Sequence, residues 1–414
     1  MENAAAVAII VVLAGLAFVL PGVPERPPAN IAFIGNSITF FNDLPRFMQA
    51  LSNDRIHQNS CLHGGLSFLS LLQKGNGMYE KWDTENARIP DVDISLYGDE
   101  EIYDFGICSV PMLLFGRDDN LGSLSDDNDD NDDSTDDDGY YTDDDDGAFY
   151  YFQDGKNPCF QDDYYMQYLT DTYVAPEWDY VIMNDQTVAP ARFKSRKKSL
   201  LALKGLYGNM FLDLPTVRPV FLVTHGYHKS EQAEEESIRS PVTWDVPEFT
   251  SRIYYGYQLY AQTLAEMLPA QQEPLIAPSG LAFLVVWEEN RGMWKKLFFY
   301  DGFHPSPHGT YLIGCVLYAT IFGRMPSSSQ ALQEDLGELW SNARKLMKSK
   351  RNFEALPLPT LAEANYLFSV AQRVVLKGYR PVSLLENEEI EAMEEEEGYS
   401  DWYNLDEVDY YYSV

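Results

Sequence analysis

Three residues far apart in this 414-residue chain are of types that together can move an acyl group: Ser37 in "FIGNSITF", and Asp301 with His304 in "FFYDGFHPSPHG". A hydroxyl is a poor nucleophile until a base takes its proton, and imidazole suits that task near neutral pH. The imidazole in turn needs a carboxylate that fixes its tautomer and stabilises its charged form. Asp301 and His304, three residues apart on one short loop, can supply orienter and base. Each piece also has a plainer use, because a serine after Gly-Asn commonly serves a turn or a helix cap, and Asp-x-x-His-Pro can cap a helix starting near Pro307. Charge developing on an attacked carbonyl needs donors aimed at it. Candidates are the backbone N–H of Ser37, the Gly64–Gly65 pair of "HGGLS", and the side-chain amide of Asn184 in "DYVIMNDQT".

Residues so far apart meet only if a fold brings strand ends together. The runs 31–35, 103–110, 179–184 and 219–224 are short, apolar and rich in β-branched or aromatic residues, as in strands buried on both faces. Segments 43–52, 248–267, 307–323, 331–350 and 359–377 carry helical spacing. Strands alternating with helices predict an α/β sandwich on a mainly parallel sheet. Ligands of such sheets bind beyond the carboxyl ends of the strands. Ser37 and Asn184 each follow a predicted strand and so fall on that edge.

These motifs resemble the blocks of the SGNH hydrolases, the GDSL-like esterase and lipase superfamily. "FIGNSITF" is similar to the first block in its Gly-Asn-Ser variant, "YDGFHPSPHG" to the fifth, and "LIAPSGLAF" to the stretch often found before it. The resemblance covers residues 31–70, 178–226 and 274–323. It implies a three-layer α/β/α sandwich with a flavodoxin-like sheet, Ser37 as nucleophile, His304 as base and Asp301 as its orienter. It also implies oxyanion donors at Ser37, Gly65 and Asn184. The third block departs from its usual Gly-x-Asn-Asp, since Ile182 replaces the Gly, and Gln186 is the substitute donor two residues on. The G-x-S-x-G elbow of the α/β-hydrolases is absent, as Thr39 stands where its second Gly would be.

Composition bounds the remaining options. The formal charge is −34, but 118–147 and 381–414 together hold −27 and contain no Lys or Arg, leaving about −7 for the rest. No basic surface is available to displace counterions from phosphates, so nucleic acid is excluded as the expected partner. The Asp-rich stretch, within an insertion of about 111–160, reads as solvated because like charges at this density resist packing. It completes no EF-hand pattern, and nonspecific calcium is the only cation role expected of it. The 381–414 stretch reads as an acidic, disordered tail. From Ala4 to Val23 no charged residue occurs, a length that spans a bilayer, so residues 1–28 are expected to be a signal peptide or anchor directing the chain to the secretory pathway. No N-x-S/T sequon supports that route. Of the four cysteines, Cys108 and Cys159 bracket the acidic run and form the preferred disulfide, with four buried thiols as the alternative. His225 and His228 in "VTHGYH" lack an obvious third metal ligand and read as pocket lining or packing, and His63 as a substrate contact.

The expectation is therefore a hydrolase domain over 29–380 that cleaves a carboxylic ester through an acyl-serine, with no cofactor and no metal. Acylated carbohydrate is favoured over lipid as substrate. An O-acyltransferase using the same residues and a noncatalytic acidic protein binding calcium or mineral are the rivals.

Overall fold

A computed structural model describes residues 29–53, 55–62, 64–74, 110–115, 177–227, 244–340 and 356–396. The leader, the Asp-rich run, Cys108, Cys159, His63 and His228 lie outside the described residues. Five parallel strands form one sheet in the order β2-β1-β3-β4-β5: β1 Ala29–Gly35, β2 Ile56–Leu62, β3 Tyr180–Met183, β4 Arg218–Leu222 and β5 Leu275–Ala277. This is a flavodoxin-like order, with its topological switch between β1 and β3.

The side chains alternate strictly, as a strand's twofold period requires. Ile31, Phe33, Ile182, Val220 and Leu222 enter one core, while Ala32, Ile34, Val181, Met183 and Phe221 enter the other. The first core is closed by α2 (Leu44–Leu51), α8 (Ser279–Glu289), α9 (Arg291–Lys296), α10 (Pro307–Phe322) and α12 (Leu361–Leu376). The second is closed by α3 (Phe68–Lys74), α4 (Val110–Phe115), α5 (Phe193–Ala202) and α7 (Val246–Met267). A π-helical turn, Leu203–Tyr207, joins α5 to α6 (Gly208–Leu212).

Local chemistry sets the helix ends. Ser306 caps α10 by accepting from the N–H groups of His308 and Gly309, with Pro307 in the first turn, where its missing N–H costs nothing. Thr360 and Glu363 close a reciprocal capping box on α12. Asp245 caps α7.

Several expectations change. Strand β2 was not predicted: its "IHQNSCL" alternates weakly because it is an edge strand with His57 exposed. Of the strand expected at 103–110, only Val110 is described, and it opens α4. The helix expected over 331–350 is broken. Ala331 ends α11 (Ser328–Ala331), a 3₁₀ turn follows at Leu336–Trp340, and 341–350 lie outside the described residues. The acidic tail begins as structure: α13 (Asn387–Glu396) buries Ile390 and Glu394, and Glu394 meets Arg196 of α5 at 2.6 Å. An acidic run packs here because a buried guanidinium receives it. No helix among the described residues is long and apolar enough to cross a membrane.

Candidate active site

The chain leaves β1 at Gly35 and turns at once into α1 (Ser37–Phe40), with Ser37 as its first residue. Asn36 is the cap, its Oδ1 accepting from Ile38 N–H at 3.2 Å. The turn is tied to the end of β3 by Asn184. Its Oδ1 accepts from Thr39 Oγ1 at 2.6 Å and from Asn36 N–H at 3.4 Å. Its Nδ2 donates to Asn36 Oδ1 at 2.8 Å and to the Asp185 carbonyl at 3.2 Å. The contact with a backbone N–H fixes which end of the amide is oxygen. A Cβ at Gly35 would collide with that same oxygen, so only glycine leaves room for the Asn184 amide.

Asn184 is fully buried, and both of its amide hydrogens meet internal partners, so it braces the Ser37 turn. The donor reading arose from its place after a predicted strand, and the place is right. Gln186, two residues on, is half-buried on the same loop. Gly65 lies in the turn after β2 with φ +72°, a conformation that favours glycine. The adjoining Leu66 carbonyl accepts from Asn36 Nδ2 at 3.4 Å, linking this turn to the Ser37 turn.

Asp301 and His304 occupy the loop before α10. His304 Nδ1 lies 2.7 Å from Asp301 Oδ2. Asp301 Oδ1 accepts from the N–H groups of Phe303 and His304 at 3.0 and 2.9 Å. Burial alone would raise the Asp301 carboxyl, but the His304 ring and these N–H groups outweigh it and hold it below the usual range. Asp301 is thus an anion that accepts from Nδ1–H and leaves Nε2 as the ring nitrogen able to take a proton.

The two loops touch. Phe41, four residues after Ser37, stacks on the His304 ring with centroids 3.9 Å apart and planes at 4°. Next to it Asn42, at φ +53°, donates to the Pro305 carbonyl at 3.0 Å and to Thr310 Oγ1 at 2.9 Å. The Ser37 segment and the Asp301–His304 loop are therefore packed as one unit at the carboxyl edge of the sheet.

Behind them sits a residue that sequence reasoning passed over. Asp185 is fully buried, with Oδ1 accepting from Phe68 N–H and Gln186 N–H, and Oδ2 from Ser199 and the Tyr260 hydroxyl. Burial pushes its carboxyl up to about 6 against those four donors. It ties the start of α3, and with it the turn carrying Gly65, to the loop after β3. Asn36 and Thr39 were likewise unassigned; Asn-Ser-x-Thr at a strand end is the capping signal that could have found them. His225 is buried and reaches the Phe303 carbonyl at 2.8 Å. Cys61 and Cys315 are buried thiols. Among the described residues no group of three His, Cys, Asp or Glu side chains could hold a metal ion.

No family model and no curated protein matches the chain. Among solved structures it is similar to a DUF4886 family protein from Bacteroides uniformis, at 12% identity and a TM-score of 0.42, covering 87% of this chain and 98% of that one. It is also similar to a gut microbial diltiazem-metabolizing enzyme, at 11% identity and a TM-score of 0.36. That second match covers 72% of this chain and spans about half (47%) of the other.

Proposed function

We propose that this chain is a serine hydrolase that cleaves a carboxylic ester through an acyl-serine intermediate. The observation that supports it best is the Asp301–His304 pair at 2.7 Å, its imidazole stacked on the residue four positions after Ser37. In this reading His304 Nε2 takes the Ser37 hydroxyl proton as Oγ attacks the ester carbonyl. The same proton then passes to the departing alkoxide. Asp301 holds Nδ1–H and stabilises the imidazolium throughout. Water deacylates the serine by the reverse proton route.

The carbonyl oxygen, negative in the tetrahedral intermediate, receives the backbone N–H groups of Ser37 and Gly65 and the side-chain amide of Asn184, with Gln186 as the substitute donor two residues on. Asn184 keeps the turn rigid so that these donors need not reorganise. Acylated carbohydrate is the substrate class proposed first, ahead of lipid esters. The apolar N-terminal stretch is proposed to send the chain into the secretory pathway, where such substrates are met.

The test is a fluorophosphonate probe followed by peptide mapping. The expected result is a single adduct on Ser37, lost in Ser37→Ala, with Ser37→Ala or His304→Ala lowering kcat by about 10⁴-fold or more. An adduct on another serine of an ester-active preparation would overturn the assignment. Turnover with an added sugar acceptor separates hydrolysis from acyl transfer.

A further inference from the structure

Resting on that reading of the site, we infer that His225 is a positioning residue for the base, clamping the Phe303–His304 peptide from the side opposite Asp301. The two atoms of this peptide that can hydrogen-bond are both held. Its N–H, on His304, donates to Asp301 Oδ1 at 2.9 Å. Its carbonyl, on Phe303, lies 2.8 Å from His225 Nε2. A peptide group is planar, so fixing both ends fixes the plane from which the His304 side chain leaves the backbone.

The tautomer follows from the partner. A carbonyl only accepts, so Nε2 of His225 carries the hydrogen and Nδ1 is bare. Nδ1 is buried with no hydrogen-bond partner. The ring lies flat on Phe283, with centroids 4.2 Å apart and planes at 8°, and edge-on to Phe298 at 5.3 Å. Burial lowers its pKa to about 4, so it is neutral in ordinary buffers and does not compete with His304 for a proton. A phenylalanine could stack in this aromatic cage without burying a bare nitrogen. What histidine adds at this position is one N–H, and that N–H is spent on the loop of the base.

Position 225 also suits the task. It lies three residues beyond the end of β4, whose backbone is fixed between β3 and β5. Gly302, at φ +79°, lets the loop turn back so that the Phe299 N–H reaches the His304 carbonyl at 2.7 Å. The sheet thus holds the loop through His225, while the loop holds itself through Asp301.

The experiment compares His225→Phe with His225→Gln in the full-length chain. His225→Phe keeps the stacking and removes the donor, and His225→Gln restores an N–H. With p-nitrophenyl acetate, His225→Phe is expected to lower kcat about 10- to 100-fold with KM within about twofold, and His225→Gln to recover most of the loss. In ¹⁵N-histidine NMR spectra the Nδ1–H resonance of His304 should shift in the Phe variant and return in the Gln variant. Unchanged kcat and an unmoved His304 signal in His225→Phe would overturn the inference. Equal losses in both variants, accompanied by a lowered Tm, would also overturn it and show that His225 only packs. If fluorophosphonate fails to label Ser37 in the wild type, the hydrolase reading falls. The clamp is then judged by the His304 resonance alone, with the same two outcomes.

Discussion

The two faces of the sheet are built on different chemistry. On one, α10 is buried around nearly its whole circumference, from Tyr311 through Ile321, and packs on α2, α8 and α12 through aliphatic and aromatic contacts such as Phe47 with Tyr311. On the other, the core includes Asp185 with its four donors, the hydroxyls of Tyr207, Tyr257 and Tyr260, and the Arg196–Glu394 ion pair. Apolar packing is tolerant of direction, whereas a buried polar network stands only when each member is met by a partner of fixed geometry. The first face carries the base on the loop before α10. The second fixes the loops after β2 and β3 that flank the Ser37 turn. One face therefore gives the site a rigid floor, and the other sets its loops.

The same kind of ion pair occurs on both faces, which makes the contrast measurable. Arg196 and Glu394 are each 1% exposed in their side chains, and the guanidinium also lies over the Tyr255 ring. Replacing Arg196 by Ala leaves a carboxylate buried without that cation and is expected to cost about 3–5 kcal/mol in urea denaturation. A loss under about 1 kcal/mol would mean that the polar face is no more exacting than a surface.

The middle-sized effect is a pH slope. The Asp185 carboxyl, raised from 3.8 to about 6 mainly by burial, binds its proton more tightly in the folded chain than in the unfolded one. Its contribution to stability is thus complete below about pH 4 and is lost as pH rises through about 6, on the order of 2–3 kcal/mol. Asp185→Asn cannot titrate, and its amide can still accept from the two backbone N–H groups and donate to Ser199 and Tyr260. Relative to wild type, it should gain stability as pH goes from about 4 to about 7. Glu363, held down at about 2, slopes the other way but is common to both proteins and cancels in the difference. Parallel curves for the two proteins would show that Asp185 is not the titrating group.

The smallest effect is expected on the apolar face. Arg373 meets Glu289 in a two-point contact at 2.7 and 2.8 Å, with both side chains about 30% exposed. Arg373→Ala should cost no more than about 1 kcal/mol and less in high salt, because solvent screens the pair. A larger loss would erase the contrast between the faces.

The faces also differ in how much of them could be read beforehand. Helices α2, α10 and α12 all pack on the apolar face and announce themselves by clear caps, with periodic hydrophobic residues in α2 and α12 and a largely apolar run in α10, so 43–52, 307–323 and 359–377 were legible. On the polar face only α7 was. The stretch that forms α5 and α6, "FKSRKKSLLALKGLYGNMFL", mixes five cations with two glycines, and its burial depends on Glu394, 198 residues from Arg196. Local pattern contains no trace of so distant a partner. The same limit explains the site. Ser37, Asp301 and His304 could be named from motif and strand-end position, and the Asp301–His304 contact was local enough to expect. The bracing by Asn184 could not be read, because the types of its neighbours do not reveal which way an amide points. Asp185 and His225 were invisible as organisers, since their partners come from α3, α5, α7 and the loop before α10.

The 198-residue separation between Arg196 and Glu394 sets an order of events during synthesis. Strands β1 to β5 end at Ala277, long before α13 opens at Asn387, so the sheet can assemble while the pocket around Arg196 still lacks its carboxylate. Closing so long a loop is slow relative to local helix formation, and contacts of this sequence range come late. A nascent chain halted short of residue 394 should therefore hold a formed sheet with Arg196 still lacking its carboxylate, and the polar face is completed only when α13 docks.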